Sequence, residues 1–170
     1  MSGQSQFGNI GVLMGGYSSE RAISLKSGQG VVSALSSAGH QLTAIDITTQ
    51  DKNKIIEQIR EAKIDIAFIA LHGRLGEDGT IQSILEEMDI PYTGSGVQAS
   101  QKAFDKTVTQ QILKDHNLPV ADYVCITNSK MMDFKHAFFV LKKLVGRKAP
   151  TRDDDDKRRR TTKGPTPKKL

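Results

Sequence analysis

The chain has 170 residues, of which 37% are hydrophobic, and a formal net charge of +5. This length allows one medium-sized domain with a core of its own, but hardly two of ordinary size. The charge is uneven, because residues 146–170 carry a balance of +6 and residues 1–145 a balance of −1. Since the body has no basic stripe, we expect no specific nucleic-acid binding there.

Cysteine content and hydropathy indicate the cellular setting. The single cysteine, Cys125, excludes an internal disulfide and fits a reducing compartment. No apolar stretch approaches the roughly 20 residues that a membrane-spanning helix needs, and Met1–Gly8 is too polar for a signal peptide. We therefore expect a cytoplasmic protein without a membrane segment.

The N-terminal segment predicts a strand followed by a helix. Residues Asn9–Met14 are apolar and end at a glycine pair, which is typical of the first strand of a parallel α/β fold. The sequence GGYSSER predicts the start of a helix, with one of two serines as the N-cap and a Glu-Arg pair in the first turn: Ser18 or Ser19, then Glu20 and Arg21. Apolar residues then recur at helical spacing: Ile23, Val31, Ala34, Leu35 and Ala38.

Two further strands and a helix follow. His40–Ile47 alternates between apolar and polar residues, and Ile64–Leu71 is apolar enough for a strand buried on both faces. Between them, a helix is marked by Ile55, Ile56 and Ile59. The order predicts an α/β fold, a Rossmann-like parallel sheet with flanking helices. Asp46 lies where a Rossmann enzyme would hold a ribose, but the GxGxxG fingerprint is absent, so we do not expect that role.

The loop after the third predicted strand is the strongest candidate site. It runs from His72 to Ser83, HGRLGEDGTIQS, and has three glycines in seven residues: Gly73, Gly76 and Gly79. Thr80 or Asp78 could cap a helix that begins there. The position places three chemically active side chains just past the carboxyl end of a strand, where open α/β sheets bind ligands: His72, Glu77 and Asp78. By form alone, such a loop could equally be a structural connector.

The remaining residues predict shorter elements. We expect a helix at Ile81–Met88, a strand at Ile90–Tyr92 leading into the glycine turn TGSG, and a helix at Thr107–His116 that ends at Asn117-Leu118-Pro119. A strand at Ala121–Ile126 follows. A last amphipathic helix is indicated by Phe134, Phe138, Phe139, Leu141 and Leu144.

Three motifs together resemble the D-alanine–D-alanine ligase family. They are MGGYSSERAISLKSG, HGRLGEDGTIQS and IPYTGSGVQASQKAFDK. The resemblance implies that residues 8–103 form the ligases' Rossmann-like N-terminal domain, which precedes the ATP-grasp region, and that residues 104–145 begin the ATP-grasp region. It implies an enzyme that uses ATP and Mg²⁺ to join two D-alanine molecules for peptidoglycan synthesis, commonly as a homodimer.

The resemblance also implies roles for individual residues. Glu20 would hold the ammonium group of the first D-alanine and act in catalysis, and Lys106 would face the ATP phosphates. The substrate pocket would further include Ser24, His72, Gly73, Gly76, Glu77, Asp78 and Gly79. The same residues have plainer interpretations, since Glu20 also suits the positive end of a helix and Lys106 could be a solvated helix lysine. Arg21 is expected to anchor its loop by an ion pair.

The last 25 residues depart from the family. Residues 146–170 have almost no apolar side chains, a run of four Asp, and three of the five prolines, so we expect them to be disordered. Three origins stay open: a frameshifted or truncated ligase gene, a basic arm that binds polyanions weakly, or an engineered scar, because DDDDK resembles an enteropeptidase site.

The family's catalytic lysine and metal carboxylates do not follow residue 145, so we expect no ligase activity from this chain alone. Two alternatives stay open. One is a non-catalytic module for D-alanine binding or dimerisation, and the other is a different ATP-grasp ligase with a similar N-terminal domain.

Overall fold

The computed structural model describes residues 7–121 and residue 123. Up to Pro119 these residues belong to one compact unit. Three predictions lie wholly or largely outside the described residues: the strand at 121–126, the helix at 134–144 and the disordered tail at 146–170.

The core of the fold is a parallel sheet of three strands in the order β2-β1-β3. Its strands are β1 (Asn9–Gly15), β2 (Gln41–Ile47) and β3 (Ile66–Ile69). The register pairs Leu13 with Ile45 on one side and with Ile69 on the other. Every residue of β1 is buried, because a central strand has neighbours on both sides and helices on both faces. The predicted α/β fold with a parallel sheet is confirmed.

The prediction for the third strand is wrong in length and in burial. β3 spans four residues, and only Ala67 among them is buried. On the side away from β1, β3 pairs through an isolated parallel bridge from Ala67 to Tyr92, so its other side chains stay partly exposed. The predicted strand Ile90–Tyr92 is therefore reduced to that single bridge.

Five helices accompany the described strands. They are α1 (Arg21–Ser37), α2 (Lys52–Ala62), α3 (Thr80–Glu87), α4 (Val97–Phe104) and α5 (Lys106–Asp115). Asp105 ends α4 and caps α5, accepting hydrogen bonds from the N–H groups of Thr107 and Val108. Asn117, with a φ of +56°, follows the end of α5, as the Asn-Leu-Pro sequence predicts.

The sheet carries an apolar cluster on each face. The larger cluster joins the strands to α2 and α3 and includes Leu13, Ile47, Ile55, Ile59, Ile81 and Leu85. The smaller cluster joins β1 to α1 and includes Val12, Met14 and Ala70, with Leu25, Val31 and Val32 against them. Both faces of the central strand are therefore covered, which is the doubly wound arrangement.

The predicted inner face of α1 is wrong at several positions. Ile23 is 59% exposed, and Ala34 and Ala38 are also exposed, whereas the fully buried residues of α1 are Ser24 and Gly28. The cap prediction is wrong as well, because Glu20 occupies the N-cap position and makes no capping bond with its side chain. The helix approaches the sheet through small residues, which a search for apolar spacing does not find.

A buried asparagine, Asn9, links several elements at the amino-terminal edge of the sheet, opposite the carboxyl ends of the strands. The Nδ2 group of Asn9 donates to the carbonyls of Ala62 and Lys63 at the end of α2, and its backbone N–H donates to Asp65. Thr43 of β2 completes the network. Asn9 thus connects β1 to β2 and to the end of α2. These contacts lie at the amino-terminal edge, away from the carboxyl ends of the strands.

Within the described residues, no helix combines the length and apolar character needed to cross a membrane.

Candidate active site

The carboxyl ends of β1 and β3 are tied together by Ser24 of α1. Its Oγ accepts a hydrogen bond from the Gly15 N–H at 2.9 Å and donates one to the Ala70 carbonyl at 2.8 Å. Ser24 is completely buried. The Ser24 hydroxyl therefore has its hydrogen-bond partners at the two strand ends. The predicted contact of Ser24 with substrate does not fit these surroundings, and we assign Ser24 a structural role.

The two predicted glycine turns meet at this edge of the sheet. The hydroxyl of Ser18, in the turn after β1, donates to the His72 carbonyl at 3.0 Å. Gly73, in the turn after β3, has a φ of +67°, and a Cβ placed on it would overlap the Glu20 carboxylate oxygen Oε2. Position 73 therefore favours glycine for its backbone conformation, and the absence of a side chain there lets the Glu20 carboxylate lie against the turn.

Glu20 presents an exposed carboxylate beside that turn. Its own backbone N–H donates to Ser18 Oγ, which fixes the start of the side chain. Among the described residues, none forms a hydrogen bond or ion pair with the Glu20 carboxylate. Since a carboxylate without a cation has unused acceptor capacity, Glu20 is suited to bind a positively charged ligand group.

His72 lies between two polar partners. Its Nε2 atom is 3.1 Å from Ser27 Oγ on α1, and its Nδ1 atom is 3.5 Å from Glu77 Oε1. The side chain of His72 is 35% exposed, so part of the ring remains accessible from the rim. Sequence reasoning named His72 and Glu77 but assigned no role to Ser27, although Ser27 lies in the motif MGGYSSERAISLKSG and three residues after Ser24.

The loop between β3 and α3 is anchored by its own buried residues. Leu75 has a φ of +81°, unusual for a branched residue, yet its side chain is 1% exposed and packs in the larger apolar cluster. The Gly76 carbonyl accepts a hydrogen bond from the Gln82 amide at 2.8 Å. Gly76 and Gly79 are both buried. These contacts make the loop a packed element, and the two glycines are placed by backbone packing.

Asp78 organises the start of α3, although Gly79 occupies the formal N-cap position. The Oδ1 atom of Asp78 accepts a hydrogen bond from the Thr80 N–H at 3.0 Å. Partial burial opposes its ionisation, but hydrogen bonds from the Thr80 side chain and from the backbone of Thr80 and Leu75 lower the pKa of Asp78 below its ordinary value of 3.8. The carboxylate thus supports the loop from within.

This shift predicts an acid-dependent contribution to stability. Because the pKa of Asp78 is lower in the folded protein, its ionised form stabilises the fold above pH 3.8, and that contribution is lost as the pH falls through the folded pKa. Asp78→Asn is therefore expected to be less stable than the wild type at pH 7 and to approach it in stability near pH 3. Urea unfolding at pH 7, 5, 4 and 3 measures this, with Glu57→Gln on an exposed face of α2 as the control. A deficit that stays constant over this range would contradict the assignment.

Arg21 anchors the first turn, as the sequence predicted. Its guanidinium forms a bidentate pair with Asp46 at 2.8 and 2.9 Å and also donates to the carbonyls of Gly16 and Ile47. The hydrogen bonds that Arg21 donates to the Asp46 carboxylate raise the pKa of Arg21. Asp46 is therefore engaged by Arg21, in keeping with the expectation that it does not hold a ribose.

Lys106 lies at the first residue of α5 and is exposed. A helix start with a cation suits a phosphate group. However, Asp105 already occupies the N–H groups of Thr107 and Val108 at this helix start. Lys106 would therefore have to contact a phosphate through its ammonium group and without help from these two donors.

Two clefts flank the loop. One, of about 300 Å³, lies between β3, the loop and α4, and its polar lining includes Glu77, Gln82 and Thr93. The other, of about 280 Å³, lies between the turn after β1 and the starts of α2 and α3. Neither is lined by Glu20 or His72, so the candidate site is better defined by its contacts than by cavity shape.

No group of three or more His, Cys, Asp or Glu side chains within the described part of the chain is arranged to hold a metal ion.

Comparison with known proteins gives one consistent family. Residues 49–95 match the family described as the D-ala D-ala ligase N-terminus. The D-alanine–D-alanine ligase of Pelotomaculum thermopropionicum is 48% identical over 123 residues, which are 72% of this chain and 37% of that protein. The ligase of Desulforudis audaxviator is 52% identical over 114 residues, which are 67% of this chain and 36% of that protein.

A solved structure agrees with these relatives. The crystal structure of the D-alanine–D-alanine ligase from Bacillus anthracis complexed with ATP has 34% sequence identity and a TM-score of 0.64. That match covers 78% of this chain and 44% of the solved one. The chain thus spans well under half of the length of each of these three proteins, and it matches them closely within that span.

Proposed function

We propose that the described residues of this chain bind the first D-alanine of the ligase reaction, because the chain belongs to the D-alanine–D-alanine ligase family through its N-terminal portion. The parent activity is the ATP-dependent joining of two D-alanine molecules in peptidoglycan synthesis. Within it, Glu20 binds the ammonium group, and His72 and the loop from Gly73 to Gly79 lie beside the bound amino acid.

The observation that carries this proposal is the free carboxylate of Glu20 at the meeting point of two turns. D-alanine is a small zwitterion, so its site needs an anion for the ammonium group and a donor for the carboxylate. Glu20 supplies the anion, and the partly exposed ring of His72, a few ångströms from Glu77, can supply an N–H donor. Binding of a charged ligand by two preorganised groups requires little rearrangement of the protein.

ATP and Mg²⁺ belong to the proposal for the whole ligase. ATP supplies the phosphoryl group that activates one D-alanine carboxylate. Lys106 is the described residue that would contact its phosphates, through its ammonium group. We also propose the division of the chain into an N-terminal domain at 8–103 and the beginning of the ATP-grasp region at 104–145, a dimer of the parent enzyme, and a cytoplasmic location.

Calorimetric titration of the protein with D-alanine tests the role of Glu20. Because a hydrogen bond to a charged group contributes about 1.5–3 kcal/mol, Glu20→Gln is expected to weaken D-alanine binding by about 10- to 100-fold. The thermal stability should stay near that of the wild type, since the described residues give the carboxylate no partner to lose. Glu61→Gln, an exposed acid on α2, is the matched control, and L-alanine tests stereochemical selection.

The outcomes separate the candidate functions. Equal affinity of Glu20→Gln and the wild type for D-alanine would contradict the proposed site. A D-alanine signal without any response to subsequent ATP and Mg²⁺ would favour the non-catalytic module over a ligase. Phosphate release that requires both D-alanine and ATP, and that is absent in Glu20→Gln, would instead show ligase chemistry in this chain.

A further inference from the structure

Ser27 occupies a fixed place behind His72. It lies on α1 between two residues that hold this helix against the sheet, Ser24 and Gly28. Ser24 bonds to both strand ends, and a Cβ placed on Gly28 would lie 2.6 Å from the Met14 Cβ atom. Because its neighbours Ser24 and Gly28 pack against the sheet, the backbone of Ser27 is held at a fixed place beside the His72 ring.

The two nitrogens of His72 face chemically different partners. Nδ1 lies 3.5 Å from the carboxylate of Glu77, which in its ionised form can only accept a hydrogen bond. Nε2 lies 3.1 Å from the hydroxyl of Ser27, which can donate or accept. The carboxylate therefore favours a proton on Nδ1, and the hydroxyl adapts by donating to the unprotonated Nε2.

We propose that Ser27 is a positioning residue that, together with the Glu77 carboxylate, holds neutral His72 in the Nδ1–H tautomer. The free histidine side chain prefers the opposite tautomer, with the proton on Nε2, so the protein must supply this preference. The Ser27 hydroxyl forms a hydrogen bond with Nε2 on the side of the ring that faces α1. The Nδ1–H group is then directed toward Glu77, the more exposed of the two partners.

The Nδ1–H tautomer also affects ligand binding at the site, a step that rests on the proposed D-alanine function. The contact between Nδ1 and Glu77 is long and the Glu77 side chain is 52% exposed, so an incoming ligand can compete for the Nδ1 proton. His72 then offers an N–H donor to a carboxylate, while Glu20 offers an acceptor to an ammonium group. The tautomer itself can be measured without any ligand.

Long-range proton–nitrogen NMR of the ¹⁵N-labelled protein at pH 8.5 tests the tautomer directly. His116 is an internal reference, because its Nδ1 atom lies 2.8 Å from the Ile112 carbonyl, which can only accept and therefore favours a proton on Nδ1. His72 is expected to show the same Nδ1–H pattern, with Nε2 in the range of an unprotonated nitrogen. A variant His72→Gln assigns the resonances.

Variants separate the positioning role from a general effect on folding. In Ser27→Ala, the Nε2 resonance of His72 should move toward the range of a protonated nitrogen, and His116 should not change. Ser27→Thr keeps the hydroxyl and should retain the wild-type pattern, and Ser33→Ala, at an exposed serine of the same helix, should have no effect. In Glu77→Gln, which keeps Ser27, the preference for Nδ1–H should also weaken.

An Nε2–H tautomer in the wild type, or an unchanged His72 spectrum in Ser27→Ala, would overturn the proposal. Because these measurements contain no D-alanine, failure of the tautomer assignment is distinguishable from failure of the proposed function. If D-alanine binds, Ser27→Ala should weaken its binding several-fold, with recovery in Ser27→Thr.

Discussion

Replacing Ser24 with alanine is expected to lower the free energy of unfolding by about 2–4 kcal/mol. The substitution removes the hydroxyl that accepts from Gly15 N–H and donates to the Ala70 carbonyl, and both partners are buried. Each buried polar group left without a partner costs about 1–3 kcal/mol, and alanine returns a small part of this through its better helix propensity. Urea unfolding monitored by circular dichroism measures the change.

Ser33→Ala is the matched control for this prediction. Ser33 is exposed on the same helix, and its substitution is expected to change stability by less than about 0.5 kcal/mol. If Ser24→Ala were as stable as Ser33→Ala, the hydroxyl of Ser24 would not be the link between the strand ends.

Two glycines of α1 are expected to respond to alanine with opposite signs. A Cβ on Gly28 would lie 2.6 Å from the Met14 Cβ atom and 2.8 Å from its sulfur, so Gly28→Ala should push the helix away from β1 and cost about 1–3 kcal/mol. A Cβ on Gly30 would have no atom within 4 Å, so Gly30→Ala should stabilise the protein by about 0.5–1 kcal/mol. The two variants should therefore differ by about 1.5–4 kcal/mol.

The pair is informative because both changes add the same methyl group to the same helix. Intrinsic helix propensity is common to the two variants and cancels in their difference, which leaves the contact with Met14. Unfolding curves for the two variants and the wild type give all three values under one set of conditions. Equal stabilisation by both substitutions would show that α1 does not approach the sheet at Gly28.

These predictions depend on a single face of α1. Glu20, Ser24, Ser27 and Gly28 are separated by four, three and one residues, which is the spacing of one helical face. From the start of the helix onward this face supplies the free carboxylate, the link between strands, the partner of His72 and the close approach to β1. The site and the packing of α1 are thus consequences of the same four small or polar residues.

Wrong predictions for α1 have the same origin. Apolar spacing predicts that Ile23, Ala34 and Ala38 face inward, although all three are exposed. A helix that packs partly through serine and glycine buries less apolar side-chain area, so the hydrophobic pattern identifies Val31 but misplaces the other three residues. Apolar spacing does identify the buried face of α2, where Ile55 and Ile59 are buried as expected.

The sequence alone determined the parallel α/β order, the family and, within a few residues, the positions of the three strands and of α1, α2, α3 and α5, because apolar runs, glycine turns and three motifs are local in the chain. Only the tertiary structure decided that Ser24 joins the strand ends, that Glu20 lies against Gly73, and that Ser27 faces His72. These contacts link residues 45 to 55 positions apart, except for the bond to Gly15, and depend on how closely α1 approaches the sheet. Local propensity carries no information about that distance, since it is set by the packing of side chains from different elements.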